Sequence, residues 1–372
     1  LLLDAGKSSE NIAERLFLSC NTVTNYSEFQ KDFLNLFEIH YSIVQRAIKQ
    51  HRYFLKSTTT QTVKTMLTRR QFLKSTIVGS AGMGIGLSLY DLQYEAYTAD
   101  FVVEQLSIKV AGLPPAFTGY RIGFITDIHI GSWVPEAWYE RALATLTEIG
   151  VDILLLGGDY ILVHETSLWD AAGLVRNPKF SGLPKAKAIP EIYSSFATYT
   201  KRFTCPDGIL AVVGNHDHWN SFPDFLQVMR GFPEVKLLIN EEHTIQRAEQ
   251  SLHIFGVDDY LTGLPAAPPT RPLEDGRAKR IILSHNPDYL PAILKRPEVE
   301  FSVALCGHTH GGQIVLPVLG PVAAQVVDTR FVSGMCHVGE KQVYTSRGLG
   351  VVGLPFRVNC PAEVTVFTLT PA

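Results

Sequence analysis

Five short motifs of similar make-up constrain this chain more than any other feature. They are Asp127-Ile128-His129, Gly157-Gly158-Asp159-Tyr160, Gly214-Asn215-His216-Asp217, Ser284-His285-Asn286-Pro287-Asp288 and Gly307-His308-Thr309-His310. Each closes a short apolar run with strand character: RIGFIT, DILLL, ILAVV, RIILS and SVALC in that order. Longer amphipathic stretches at 136–149, 191–203, 224–230 and 288–294 read as helices. QVYTS and EVTVFTL add strands, making the C-terminal third richer in them. Strand–helix alternation of this kind predicts an α/β layered fold. Polar motifs at strand ends then fall where open α/β sheets assemble their sites.

Taken singly, none of these motifs is persuasive. A lone loop histidine is more often solvated or a hydrogen-bonded core residue than a ligand. Together they bring two Asp, one Asn and four His to successive strand ends. Oxygen and imidazole donors without thiolate suit Mn, Fe or Zn. Seven side chains are too many for one tetrahedral ion, but fit two divalent metal ions sharing a carboxylate. Such ions lie roughly 3.5–4 Å apart and clamp both oxygens of an in-line phosphoryl displacement. The five cysteines include no CxxC pair, which argues against a Cys-based zinc site. Cys306, inside SVALC, reads as a buried thiol.

The order D-x-H, G-D, G-N-H-D, H and G-H-x-H resembles the calcineurin-like metallophosphoesterases. The fuller wording, with GHTHGGQ and SRGLG, is similar to their bacterial twin-arginine-exported phosphodiesterase branch, related to UDP-2,3-diacylglucosamine hydrolases. The resemblance spans about residues 100–370 and implies a four-layer αββα sandwich. It implies that Asp127, His129 and His310 hold one metal, that Asn215, His285 and His308 hold the other, and that Asp159 bridges them. It also implies a bridging hydroxide as nucleophile, with His216 facing the leaving-group oxygen. Arg347, in SRGLG, is by the same resemblance a candidate phosphate contact; a structural role in the turn is the alternative.

The substrate is less sharply written. The Asp-Arg pair that protein phosphatases of this superfamily carry after G-D is replaced by GDYILVHE, which argues against a phosphoprotein. Trp133, Trp138, Trp169 and Trp219 each follow a metal motif closely. If Trp133 and Trp219 rim the site, a lipid-linked or otherwise bulky phosphodiester fits; loop packing is the plainer reading. Residues 160–190 are long enough for a lid or specificity loop. A phosphomonoesterase and a nucleotide-sugar-lipid pyrophosphatase are the alternatives within the same chemistry.

Two segments precede this region. Thr68-Arg69-Arg70-Gln71-Phe72-Leu73-Lys74 fits the twin-arginine export pattern, and a Gly-rich apolar run follows it to Tyr90. Residues 66–99 therefore read as a signal or anchor with its linker, which implies the export machinery as a partner and an extracytoplasmic, membrane-associated enzyme. Cleavage near 96–99 and retention of 75–90 as an anchor both remain open. Met66 is the expected native start. Residues 1–65 read as helical, and 1–26 resemble a LuxR-type helix-turn-helix, so a DNA-binding regulator is the non-enzyme alternative. Glu28 and Asp32 interrupt the basic face such a helix needs, and the formal net charge is −3.

Overall fold

The computed structural model describes residues 101–163, 177, 179–180, 182–270, 280–316 and 320–372. The helix-turn-helix-like segment, the twin-arginine segment and Trp169 lie outside the described residues.

The described chain runs through β1 (Val102–Val110), β2 (Arg121–Ile125), β3 (Ile130–Gly131), α1 (Glu136–Ile149), β4 (Ile153–Leu156), β5 (Ile161–Leu162), α2 (Lys185–Thr200), β6 (Ile209–Ala211) and α3 (Asn215–Arg230). It continues through β7 (Val235–Leu237), β8 (Glu241–Arg247), β9 (Gln250–Gly256), β10 (Arg280–Ser284), α4 (Leu290–Leu294), β11 (Phe301–Cys306), β12 (Val315–Leu316), β13 (Gly320–Pro321), β14 (Gly334–Val338), β15 (Lys341–Thr345) and β16 (Glu363–Pro371). Two six-stranded sheets result, ordered β1-β16-β2-β4-β6-β7 and β14-β15-β11-β10-β9-β8. In the first, β2, β4, β6 and β7 run parallel. In the second, β9, β10, β11 and β15 do.

Period-two alternation places each side chain. In β4, Ile153 and Leu155 face the space between the sheets, while Leu154 and Leu156 face the helices. In β11, Val303 and Leu305 enter that same inter-sheet core, and Ala304 and Cys306 face the outer layer. Strands buried on both faces read as unbroken apolar runs, which is why DILLL and SVALC are so uniform. α1, α2 and α3 cover the first sheet. α4, with short 3-10 turns at 287–289 and 329–331, covers the second. The expected αββα layering is present, with a thin fourth layer.

Some boundaries move. α2 begins at Lys185, six residues before the expected start, because the helix accommodates Pro190 at the loss of one backbone bond. α3 begins at Asn215, inside the G-N-H-D motif, and kinks at Ser221, two residues before Pro223. These first turns place Asn215 and His216 on a helix N-terminus rather than in an open loop.

Candidate metal centre

The strand directions converge on one edge. β2, β4 and β6 of the first sheet and β10 and β11 of the second end there, each delivering one of the five motifs. Asp127, His129, Asp159, Asn215, His285, His308 and His310 are all buried. Asp127, His129 and His310 form one group whose ligand atoms lie within 4.8 Å of one another, and Asp159, His285 and His308 form a second. Asn215 joins the second group: its Oδ1 lies 3.1 Å from His285 Nε2 and 2.8 Å from His308 Nδ1. Asp159 Oδ2 stands between the groups, 3.2 Å from His285 Nε2 and 3.6 Å from His129 Nε2. His129 and His310 face each other through their Nε2 atoms at 3.1 Å.

Backbone strain turns these side chains inward. Asp127, His129, Asp159, His308 and His310 all have φ between 50° and 71°. Residues with side chains rarely adopt that region, and each instance costs about 1–3 kcal/mol. Neighbouring contacts fix the orientations. Asp127 accepts from the His308 amide through both oxygens at 3.0 Å and from Thr126 Oγ1 at 2.8 Å. His285 Nδ1 donates to the Gly157 carbonyl at 2.8 Å, which directs Nε2 to the centre. Gly158 has φ 93°, and a Cβ there would stand 2.9 Å from His285 Nδ1 and 2.7 Å from the Gly214 nitrogen. No larger residue permits that approach.

The electrostatics call for positive charge. The two buried carboxylates, Asp127 and Asp159, have only histidines as ion-pair partners among the described residues. Burial opposes charge on His285, yet Asp159, with Asp127 and Asp259, pushes its pKa up to about 10. Burial, reinforced by His285, lowers His308 to about 3. Burial and then His129 hold His310 well below the usual imidazole range. His308 and His310 are therefore neutral lone-pair donors beside carboxylates. Oxygen and imidazole donors gathered in two groups, with Asp159 between them, fit divalent cations.

His216 differs from the seven. It is only half-buried, and its imidazole lies with His129 and Asp159 within the same 4.8 Å span. Its ring packs edge-on against His129 at 4.9 Å and against Trp219 at 5.0 Å, between the buried centre and solvent. Trp219 is 53% exposed at the mouth. Trp133 is buried and offers little surface to a ligand. Trp138 donates to the Leu349 carbonyl and packs on Phe101. Arg347 does not join the cluster through its guanidinium, which pairs with Glu104 at 2.7 Å and Glu363 at 3.0 Å. The SRGLG loop instead packs on the first motif, with Leu349 N–H donating to Thr126 and Gly350 N–H to Asp127.

Two residues to which the sequence assigned no role support the site. Asp217, fully buried, accepts the amides of Gly214 (3.0 Å), Asp159 (2.9 Å) and Tyr160 (3.2 Å), and the Tyr193 hydroxyl (3.3 Å). It clamps the G-N-H-D turn to the G-G-D-Y turn. Burial and the charge of Asp159 push it up to about 7, opposed by those amides. Its place in the motif was visible, but nothing separated a clamp from a ligand. Arg357, also buried, donates to the carbonyls of His310, Arg347, Gly348 and Gly350, tying the SRGLG loop to the last motif. An isolated arginine in FRVNC carries no such signal.

Residues 120–312 match the family model described as calcineurin-like phosphoesterase. Phosphodiesterase YaeI of Escherichia coli K12 is 30% identical over 82% of this chain and 100% of its own length. The metallophosphoesterase YkuE of Bacillus subtilis is 29% identical over 82% of this chain and 98% of its own. A zebrafish (Danio rerio) transmembrane protein with a metallophosphoesterase domain is 25% identical over 73% of this chain and 57% of its own.

Proposed function

Because this chain belongs to the calcineurin-like phosphoesterase family, a group of metal-dependent phosphoester hydrolases, we propose that it is a binuclear phosphodiesterase acting on envelope or lipid-linked phosphodiesters. One observation carries the reading: seven buried oxygen and nitrogen donors converge from five strand ends in two groups, with Asp159 of the second standing 3.6 Å from His129 of the first. Asp127, His129 and His310 would hold one ion and Asn215, His285 and His308 a second, with Asp159 placed to serve both. Manganese, iron and zinc all suit this donor set. When bound, such ions polarise the phosphoryl group and activate water toward phosphorus.

The chain's own residues do the remainder. The seven ligands are immobilised before substrate arrives, by the strained backbone, the Asp217 clamp and the His285–Gly157 bond, so little reorganisation is needed at reaction. His216, at the open side, meets the ester oxygen that departs and supplies its proton. The products are an alcohol and a phosphomonoester. A diester is favoured over a monoester by the likeness to a phosphodiesterase and by the open, aromatic mouth at Trp219. The twin-arginine pattern at 68–74 supports action outside the cytoplasm, with 75–90 as the membrane attachment.

The test is hydrolysis of bis-p-nitrophenyl phosphate by the manganese-loaded protein, compared with mono- and pyrophosphate esters. Diester turnover that disappears in Asp159→Ala supports the proposal. A metal-replete wild type inert on the whole panel refutes it.

A further inference from the structure

Among the described residues, six large apolar side chains stand exposed: Val102, Trp219, Leu264, Leu316, Val322 and Val327. Scattered exposed apolar residues need no explanation, but these are not scattered. Trp219 follows β6, and Leu264 follows β9. The Leu264 amide donates to Asp258, which lies 3.8 Å from His218 beside Trp219. Leu316 ends β12 and Val322 follows β13, the antiparallel pair just beyond the last metal motif. The Val327 amide donates to Asp288, the last residue of the S-H-N-P-D motif. Val102 opens β1, which runs parallel to β16, and β16 runs antiparallel to β2. The start of β1 therefore lies at the end of β2, on the ligand edge. All six residues stand on that edge. Among the described residues, the turns of the opposite edge at 111–120, 150–152, 206–208, 248–249 and 339–340 expose no large apolar side chain.

From this one-sided placement we infer that the ligand-bearing edge of the domain docks on the surface of a lipid bilayer. This deepens the proposed action on lipid-linked phosphodiesters and rests on it. An apolar rim around a site marks an interaction surface, and membrane attachment strengthens with buried apolar area. The chain itself points to lipid as the occupant. Its Gly-rich apolar run ends at Tyr90, and residues 91–101 lead directly to the start of β1 on this same edge. Eleven residues span at most about 40 Å, so a run held in a bilayer keeps the rim within reach of that bilayer. Among the described residues no helix is long and apolar enough to cross a membrane, so contact by the domain is interfacial. The geometry suits the chemistry: the ligands are buried at the centre of the rim, so a headgroup phosphodiester must enter from the edge that faces the lipid.

The experiment uses the full chain on phosphatidylethanolamine–phosphatidylglycerol vesicles whose acyl chains are brominated near the carbonyl end. Trp219 is the reporter, isolated as the difference between wild type and Trp219→Phe. Its fluorescence is quenched if the rim enters the interface. In a Leu264→Asp, Val327→Asp double variant the quenching disappears. Hydrolysis of an acyl-chain-bearing p-nitrophenyl phosphodiester in the vesicles falls about tenfold or more. Turnover of water-soluble bis-p-nitrophenyl phosphate stays at the wild-type rate, which shows the fold and metal centre intact. Unquenched Trp219 on a vesicle-bound chain overturns the inference, as does a double variant that hydrolyses the vesicle substrate like wild type. Neither result touches the phosphodiesterase reading, which fails separately if soluble diester is not hydrolysed by wild type.

Discussion

Replacing Asp217 with Asn changes one atom in a residue assigned no metal. Asp217 Oδ2 accepts two backbone amides, and Oδ1 accepts a third amide and the Tyr193 hydroxyl. The least damaging placement of an Asn puts its NH₂ where Oδ1 stood, because the tyrosine hydroxyl can rotate and accept. The Tyr160 amide cannot, and is left buried without a partner, at about 1–3 kcal/mol. The two amides on Oδ2 keep their acceptor but lose its charge, at about 0.5–1 kcal/mol each. The sum is about 3 kcal/mol. For a domain of this size that lowers Tm by about 6–12 °C, well within what a fold stable by 5–15 kcal/mol survives. Because the lost bonds join the turns that carry Asp159 and Asn215, bound metal falls with the same substitution. Calorimetry and elemental analysis of one sample read both effects. An Asp217→Asn protein within about 2 °C of wild type, with unchanged metal, refutes the clamp.

Three further outcomes are expected. Gly214→Ala puts a Cβ 2.2 Å from Asp159 Oδ1 and 2.5 Å from the Asp159 backbone nitrogen at an ordinary negative φ, so steric displacement of Asp159 lowers metal content and turnover, both measurable after desalting. His216→Ala retains both metals by elemental analysis while kcat for a diester falls about 10²- to 10⁴-fold, the usual contribution of a positioned proton donor. Arg347→Ala leaves buried Glu363 without its cation and lowers Tm by about 4 °C or more, while KM for diester stays near wild type; a large rise in KM with unchanged Tm reinstates Arg347 as a phosphate contact.

The site was more legible in the sequence than the fold around it. Metal chemistry restricts donors to a few residue types, and strand ends must present them, so spacing and identity together disclosed the cluster. The strands missed were those whose burial leaves no apolar run. EEHTIQR is the half-buried, polar edge strand, and it pairs antiparallel with QSLHIFG, whose buried run is short and interrupted by His253; Ala248 and Glu249 join them at φ 45° and 63°. Turns of that shape usually announce themselves through Asn-Gly or Gly. β1 has the same mixed pattern, VVEQLSIKV, as an edge strand. Arg357 was invisible for a different reason. A buried guanidinium satisfied by carbonyls depends on loops that meet only in three dimensions.

The central claim is tested most directly by anomalous diffraction from crystals of the manganese-loaded protein. Two peaks roughly 3.5–4 Å apart are expected. Asp127, His129 and His310 would surround one, Asn215, His285 and His308 the other, and Asp159 would reach both. A single peak, or ions held by other residues while these seven stay unligated, would contradict the account.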